Sequence, residues 1–154
     1  MDKVDIQILD CLKNNSRENA SVIGSKINMS VSAVIERIKK LEKSGIIKQY
    51  SVILNSKKMG MDVLAFIWVG MEHPKFNNDF MDFVRGHSRI VECHYITGDF
   101  DYLLKVNTDS TQSLEKILNE IKSVGGVSLT RTLVVLSTVK EDFSVKLDEA
   151  DILQ

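Results

Sequence analysis

Apolar residues return at helical spacing through the first fifty positions. Val4, Ile8, Leu9 and Leu12 form one stripe. Asp2 stands where an N-cap is needed, and Asp5 falls in the first turn, where a carboxylate suits the positive helix end. Asn14-Asn15-Ser16 closes this helix. A second, short helix is predicted from Ala20 to Ile27, carrying Val22, Ile23 and Ile27. After an Asn28-Met29 turn, Ser30 or Ser32 caps a third helix that ends near Gly45. Its periodicity points Val31, Val34, Ile35, Ile38 and Leu41 inward. Ser32, Ala33, Arg37 and Lys40 lie outside, with Lys39 and Lys43 flanking. Ile46 to Ile53 then alternates enough for a strand or small wing.

The remainder changes period. Polar Asn55-Ser56-Lys57-Lys58-Met59-Gly60 reads as a linker. Val63–Met71 is a strand with apolar side chains on both faces: Val63, Ala65, Ile67 and Val69 on one, Leu64, Phe66 and Trp68 on the other. Such a strand needs cover on both sides, helices on one and a second subunit on the other. Pro74 starts a helix with Phe76, Phe80, Phe83 and Val84 on one stripe. Ile90–Thr97 and Phe100–Val106 are strands joined by a tight turn at Gly98-Asp99. Ser110–Val124 is a helix with Leu114, Ile117, Leu118 and Ile121 inward. Gly125-Gly126 ends it, and Val127–Val139 is a last strand. The predicted architecture is α+β: an N-terminal winged helix-turn-helix and a C-terminal ferredoxin-like β-α-β-β-α-β domain that dimerises through its sheet. The expected boundaries are 1–50 for the first domain, 51–61 for the linker and 62–154 for the second.

Charge sharpens this division. The 154 residues carry 20 basic and 21 acidic side chains, a net charge of −1, which excludes nucleic-acid coating by bulk charge. Residues 1–50 hold nine basic and six acidic residues, a net of +3, and residues 51–154 hold eleven and fifteen, a net of −4. Ser30–Lys48 concentrates the bias, with five basic residues against two acidic. Small side chains at the start of the third helix allow close approach to base edges, and Arg and Lys neutralise phosphates or read guanine. The competing reading of the same residues is a solvated helix face. Glu36 lies beside it, where a carboxylate repels phosphate, although it can accept from cytosine N4. No apolar run reaches membrane-helix length, and the polar Met1-Asp2-Lys3-Val4-Asp5 start is unlike a signal peptide. Cys11 and Cys93 make no disulfide framework, which suits a reducing cytoplasm.

The ordered set of short motifs resembles the Lrp/AsnC (leucine-responsive and asparagine-responsive) family of transcription regulators over nearly the full length. The matching pieces are Asp2-x-x-Asp5-x-x-Ile8-Leu9-x-x-Leu12 and Asn15-x-Arg17, then Met29-Ser30-Val31-Ser32-Ala33-Val34. Next come Arg37-Ile38-Lys39-Lys40-Leu41-Glu42-x-x-Gly45-Ile46-Ile47, Lys58-x-Gly60 and Thr97-Gly98-Asp99-Phe100-Asp101-Tyr102-Leu103-Leu104. Lys140 closes the last strand as the family's lysine does. Val22-Ile23-Gly24 departs from the family's usual Glu-Leu-Ala. A glycine inside a helix costs roughly 1 kcal/mol against alanine, but permits a closer helix crossing. Gly125-Gly126 replaces the common Pro-Gly.

The resemblance implies double-stranded DNA as partner, contacted by Ser30, Ser32, Ala33 and Arg37, with Lys39, Lys40 and Arg17 on phosphates. It implies homodimers that assemble into octamers, no cofactor and no membrane. It also implies an amino acid or related metabolite as effector, held by Thr97, Gly98, Asp99, Phe100 and Asp101. A carboxylate such as Asp99 or Asp101 suits a zwitterion's ammonium, and N–H groups near the glycine suit its carboxylate. Read without the resemblance, Gly98-Asp99 is a hairpin turn.

Two rival readings follow from the same fold. One is an enzyme similar to siroheme decarboxylases, using His94 and Arg131; the other is a sensing or assembly module without DNA binding. Adjacent Cys93 and His94 point to opposite strand faces, which argues against a shared metal. Asp148-Glu149-Ala150-Asp151 spells a helicase-like string without a phosphate-binding glycine loop and reads as an acidic tail.

Overall fold

Asp2 opens the first helix as the sequence predicts. Its side chain accepts from the Asp5 amide, and the Asp5 side chain accepts in return from the Asp2 amide, each at 2.9 Å. The computed structural model describes residues 1–146, so the Asp148–Asp151 string lies outside the described residues. Two units are distinguished. The first comprises Met1–Ile53 together with the described residues 140–146, and the second Leu54–Val139. Within the first unit the Lys13 amine donates to the Val145 carbonyl at 2.7 Å. Lys140, expected to close the last strand, instead pairs with Asp142 at 3.3 Å.

In the first unit, α1 (Lys3–Asn14), α2 (Ala20–Ile27) and α3 (Val31–Lys43) surround a core of Ile8, Leu12, Ile23, Val34 and Leu41. Asn28 ends α2 in the left-handed region (φ 56°), and the Met29 amide returns to the Gly24 carbonyl at 2.9 Å. The departure at Gly24 has its reason here. A Cβ at this buried position would stand 2.6 Å from the Met29 carbonyl oxygen, closer than a side chain tolerates. The glycine therefore lets the turn fold tightly over α2, at the cost of helix propensity.

Two expectations for this unit are corrected. Val31 and Ile35, placed inward by periodicity, remain 45% and 40% exposed, because the three-helix core reaches only Val34, Ile38 and Leu41. Residues 46–53 form no strand. Alternation makes a ladder only where a partner strand exists. The segment is held instead by the Ile47 amide on the Leu41 carbonyl and by the Tyr50 hydroxyl donating to Glu42 at 2.9 Å. Burial, then Glu42, pushes the Tyr50 pKa up to about 12.

The second unit contains β1 (Val63–Met71), α4 (Asn77–Gly86), β2 (Ile90–Tyr95), β3 (Tyr102–Thr108), α5 (Thr111–Lys122) and β4 (Val127–Val134). Short 3₁₀ turns occur at Lys57–Met59 and Pro74–Phe76; the predicted Pro74 helix begins as the second of these. The antiparallel sheet has the order β2-β3-β1-β4, which is ferredoxin-like. Ala65, Ile67 and Val69 pair with Val106, Leu104 and Tyr102, and pack with Phe80, Leu114, Ile117 and Ile121. Leu64, Phe66 and Trp68 face the other way. Beside them on that open face are Leu103, Leu129 and Leu133, the last two 56% and 54% exposed.

The last strand stops at Val134, not Val139. Val134 pairs with Ala65, the Val135 amide takes the Leu64 carbonyl at 2.8 Å, and β1 then has nothing left to offer. The predicted tight turn is a six-residue loop, 96–101, closed by the Ile96 amide on the Asp101 carbonyl at 2.8 Å.

Candidate DNA and effector sites

α2, a short turn and α3 form a helix-turn-helix, and the start of α3 is its candidate reading element. Ser30 is committed to capping: its hydroxyl accepts from the Ala33 amide at 3.3 Å and contacts the Ser32 hydroxyl at 3.2 Å. Ser32, Lys39 and Lys40 are exposed on the outer side, and Ala33 is half-buried. Arg17 is exposed in the connection before α2, its amide on the Asn15 side chain.

Arg37 is not on that outer side, contrary to what helical periodicity predicts. Its Nη1 lies 2.7 Å from Asp2 Oδ2 and 2.7 Å from Asp5 Oδ1. Each carboxylate of the capping box thus gives one oxygen to the reciprocal amide and the other to Arg37. The Asp5 amide, then the Arg37 guanidinium, hold the Asp2 carboxyl below its ordinary 3.8. Asp2, then Asp5, raise Arg37 in return. The residue fastens α3 to the start of α1.

A depressed carboxyl contributes stability above its unfolded pKa and loses it as pH falls through the folded value. Arg37→Ala is therefore expected to lower the melting temperature at neutral pH, with the difference from the parent vanishing well below pH 3.8. Its effect on DNA binding separates clamp from contact. The slope of log affinity against log salt should stay unchanged, whereas a phosphate contact would reduce it by about 0.9.

The second site lies at the β2–β3 loop. A concavity of about 380 Å³ is lined by Trp68, Ile96, Thr97, Asp99, Phe100, Arg131 and Leu133, within the size range of ligand pockets. Of the residues expected for an effector, Thr97, Asp99 and Phe100 line it. Gly98 supplies the loop's left-handed φ of 117°. Asp101 instead anchors the loop to β1. Its carboxylate accepts from the Met71 amide at 2.7 Å, and its own amide donates to the Val69 carbonyl at 3.0 Å. Of the two candidate carboxylates, Asp99 is therefore the one on the wall.

Arg131, with its guanidinium 5.4 Å from the Phe100 ring centroid, is not predicted for this site by the loop sequence, and neither are Trp68, Ile96 and Leu133. The signal is the sheet register, which sets Arg131 opposite Trp68 and Leu133 opposite Phe66. His94, named beside Arg131 in the enzyme reading, is on β2 at the opposite sheet edge. The three strand spacings between them amount to roughly 14 Å. Among the described residues no helix is long and apolar enough to cross a membrane, and no group of His, Cys, Asp and Glu could hold a metal ion.

Comparison with known proteins identifies both parts of the chain. Residues 1–48 match a winged helix-turn-helix DNA-binding model and residues 64–145 the Lrp/AsnC ligand binding domain. The chain is 36% identical over 147 residues to the HTH-type transcriptional regulator LrpB of Bacillus subtilis, covering 96% of each. It is 31% identical over 144 residues to the leucine-responsive regulatory protein of Escherichia coli, covering 92% of this chain and 88% of that one. A transcriptional regulator from Neisseria meningitidis, solved as its L-Met complex, superimposes with a TM-score of 0.90 at 29% identity, covering 94% and 96%. These relatives are regulators of transcription, not enzymes. With a helix-turn-helix at one end and this ligand-binding fold at the other, the chain belongs to the Lrp/AsnC family of helix-turn-helix transcription regulators.

Proposed function

We propose that this regulator binds double-stranded DNA through α3 and that an apolar amino acid in the concavity beside the 96–101 loop shifts its DNA affinity or assembly. The observation that carries the reading is the make-up of that wall. Asp99 and Arg131 offer opposite charges for an ammonium and a carboxylate, while Trp68, Ile96, Phe100 and Leu133 offer an apolar surface for a side chain. The neighbour solved with L-Met supports the ligand class. Ser32, Lys39, Lys40 and Arg17 are the DNA contacts in this reading, with Ser30 and Ala33 setting the helix start and Arg37 positioning it. The open sheet face pairs two copies, and dimers assemble further, up to an octamer. A ligand with different affinity for two assemblies changes their populations and so the DNA affinity.

Fluorescence anisotropy on DNA from upstream of the protein's own gene tests this, at two salt concentrations and with each common amino acid. Salt-sensitive binding that an apolar amino acid shifts is the expected result. Asp99→Asn should abolish the shift while keeping ligand-free affinity within about twofold, since it removes a charge from the wall and none from α3. Absence of binding at low salt with every amino acid would overturn the DNA reading. A full response in Asp99→Asn would overturn the pocket.

A further inference from the structure

Val31 and Ile35 are exposed on the helix that the fold presents for recognition. They are one helical turn apart, and Lys39 continues the same row, so the three side chains lie one above another along α3. Ser32 flanks this strip, and among the described residues no ion pair is formed by Lys39, Lys40 or Lys43. The core does not use the strip: Val34 and Leu41, 0% and 3% exposed, mark the inward direction. Helix propensity does not favour it either, since β-branched residues are poorer than alanine at an exposed position. Arg37, one of the DNA contacts implied by the resemblance, has its guanidinium on Asp2 and Asp5.

We propose that Ile35 is a specificity-determining residue that packs against the C5-methyl group of a thymine in each operator half-site, with Val31 extending the same strip. The inference rests on the DNA-binding reading above. The N-terminal half of a recognition helix meets base edges in the major groove, and the thymine methyl is the apolar group displayed there. The strip sits on the two turns that enter the groove, and the cations of Lys39, Lys40 and Lys43 at its far end match the phosphates bordering it.

The test is a cycle between protein and DNA. A duplex bound by the full-length protein is selected from a random pool, and each thymine is replaced in turn by deoxyuridine, which lacks only the methyl. One thymine position per half-site should weaken binding about fourfold, and roughly 15-fold when both half-sites are changed. Ile35→Ala should weaken the parent duplex comparably and then be indifferent to deoxyuridine at that position. Its circular dichroism and mass in solution should match the parent, because alanine suits an exposed helix site. Parent-like affinity of Ile35→Ala, independent effects of the two changes at every thymine, or an altered assembly mass would each overturn the proposal. The last result would make the strip a contact between copies. Failure of the parent protein to select any duplex would instead overturn the DNA-binding reading beneath it.

Discussion

Trp68→Asp is expected to leave the protein a folded monomer of 17.4 kDa, on the proposal that the open sheet face pairs two copies. Trp68 stands at the middle of the open sheet face, opposite Leu103 on β3 and Arg131 on β4. In a single copy the new carboxylate has water and the Arg131 guanidinium beside it, so the fold is little disturbed. Pairing two sheets buries both copies of that carboxylate. Taking an ion out of water costs several kcal/mol even with a partner at hand, and a two-fold interface meets the cost twice. The dimer constant should weaken by at least about a thousandfold. Light scattering at micromolar concentration measures this, with Trp68→Phe as the assembled control. A dimer that survives Trp68→Asp would place the interface elsewhere than on this face.

Gly126→Ala is the second large effect, and it acts on folding. Gly126 has φ 85°, where an L side chain is strained, and its carbonyl accepts from the Glu72 amide at 2.8 Å. A Cβ built there lands within the Phe76 side chain, meeting both its ring and its own Cβ. Rotating the ring alone does not relieve such a contact, so the Pro74–Phe76 turn or the start of β4 must move. Strain from the left-handed backbone and overpacking each cost about 1–3 kcal/mol, or roughly 2–6 kcal/mol together. That is a large share of an ordinary domain's stability. Urea denaturation should show a clearly lower midpoint. An unchanged midpoint would mean that the turn yields without cost.

What the sequence makes legible is set by local rules. Helical spacing finds α1 to α3, and the run Val63–Met71 announces a strand with two apolar faces. Signals that depend on distant partners are not legible. Arg37 is 35 and 32 positions from the two carboxylates it holds, and a basic residue on a helix looks the same to periodicity whether its partner is a phosphate or an aspartate. Val31 and Ile35 satisfy the apolar period, yet the small three-helix core has no room for a wider stripe. The last strand is predicted too long because its sequence stays apolar past the point where β1 ends. At the candidate effector site, Thr97, Asp99 and Phe100 are readable from one loop. Arg131 reaches the same wall from β4, which only the sheet register reveals.

The double tether of Asp101 to β1 has a practical side. Both backbone hydrogen bonds of that residue, and its carboxylate, are spent on fixing the loop to Val69, Met71 and Ile96. Thr97, Asp99 and Phe100 therefore project from a frame whose footing does not involve their own side chains. A library of variants confined to those three positions would recast the chemistry of the wall without refolding the sheet beneath it, giving a chassis for biosensors tuned to other small molecules.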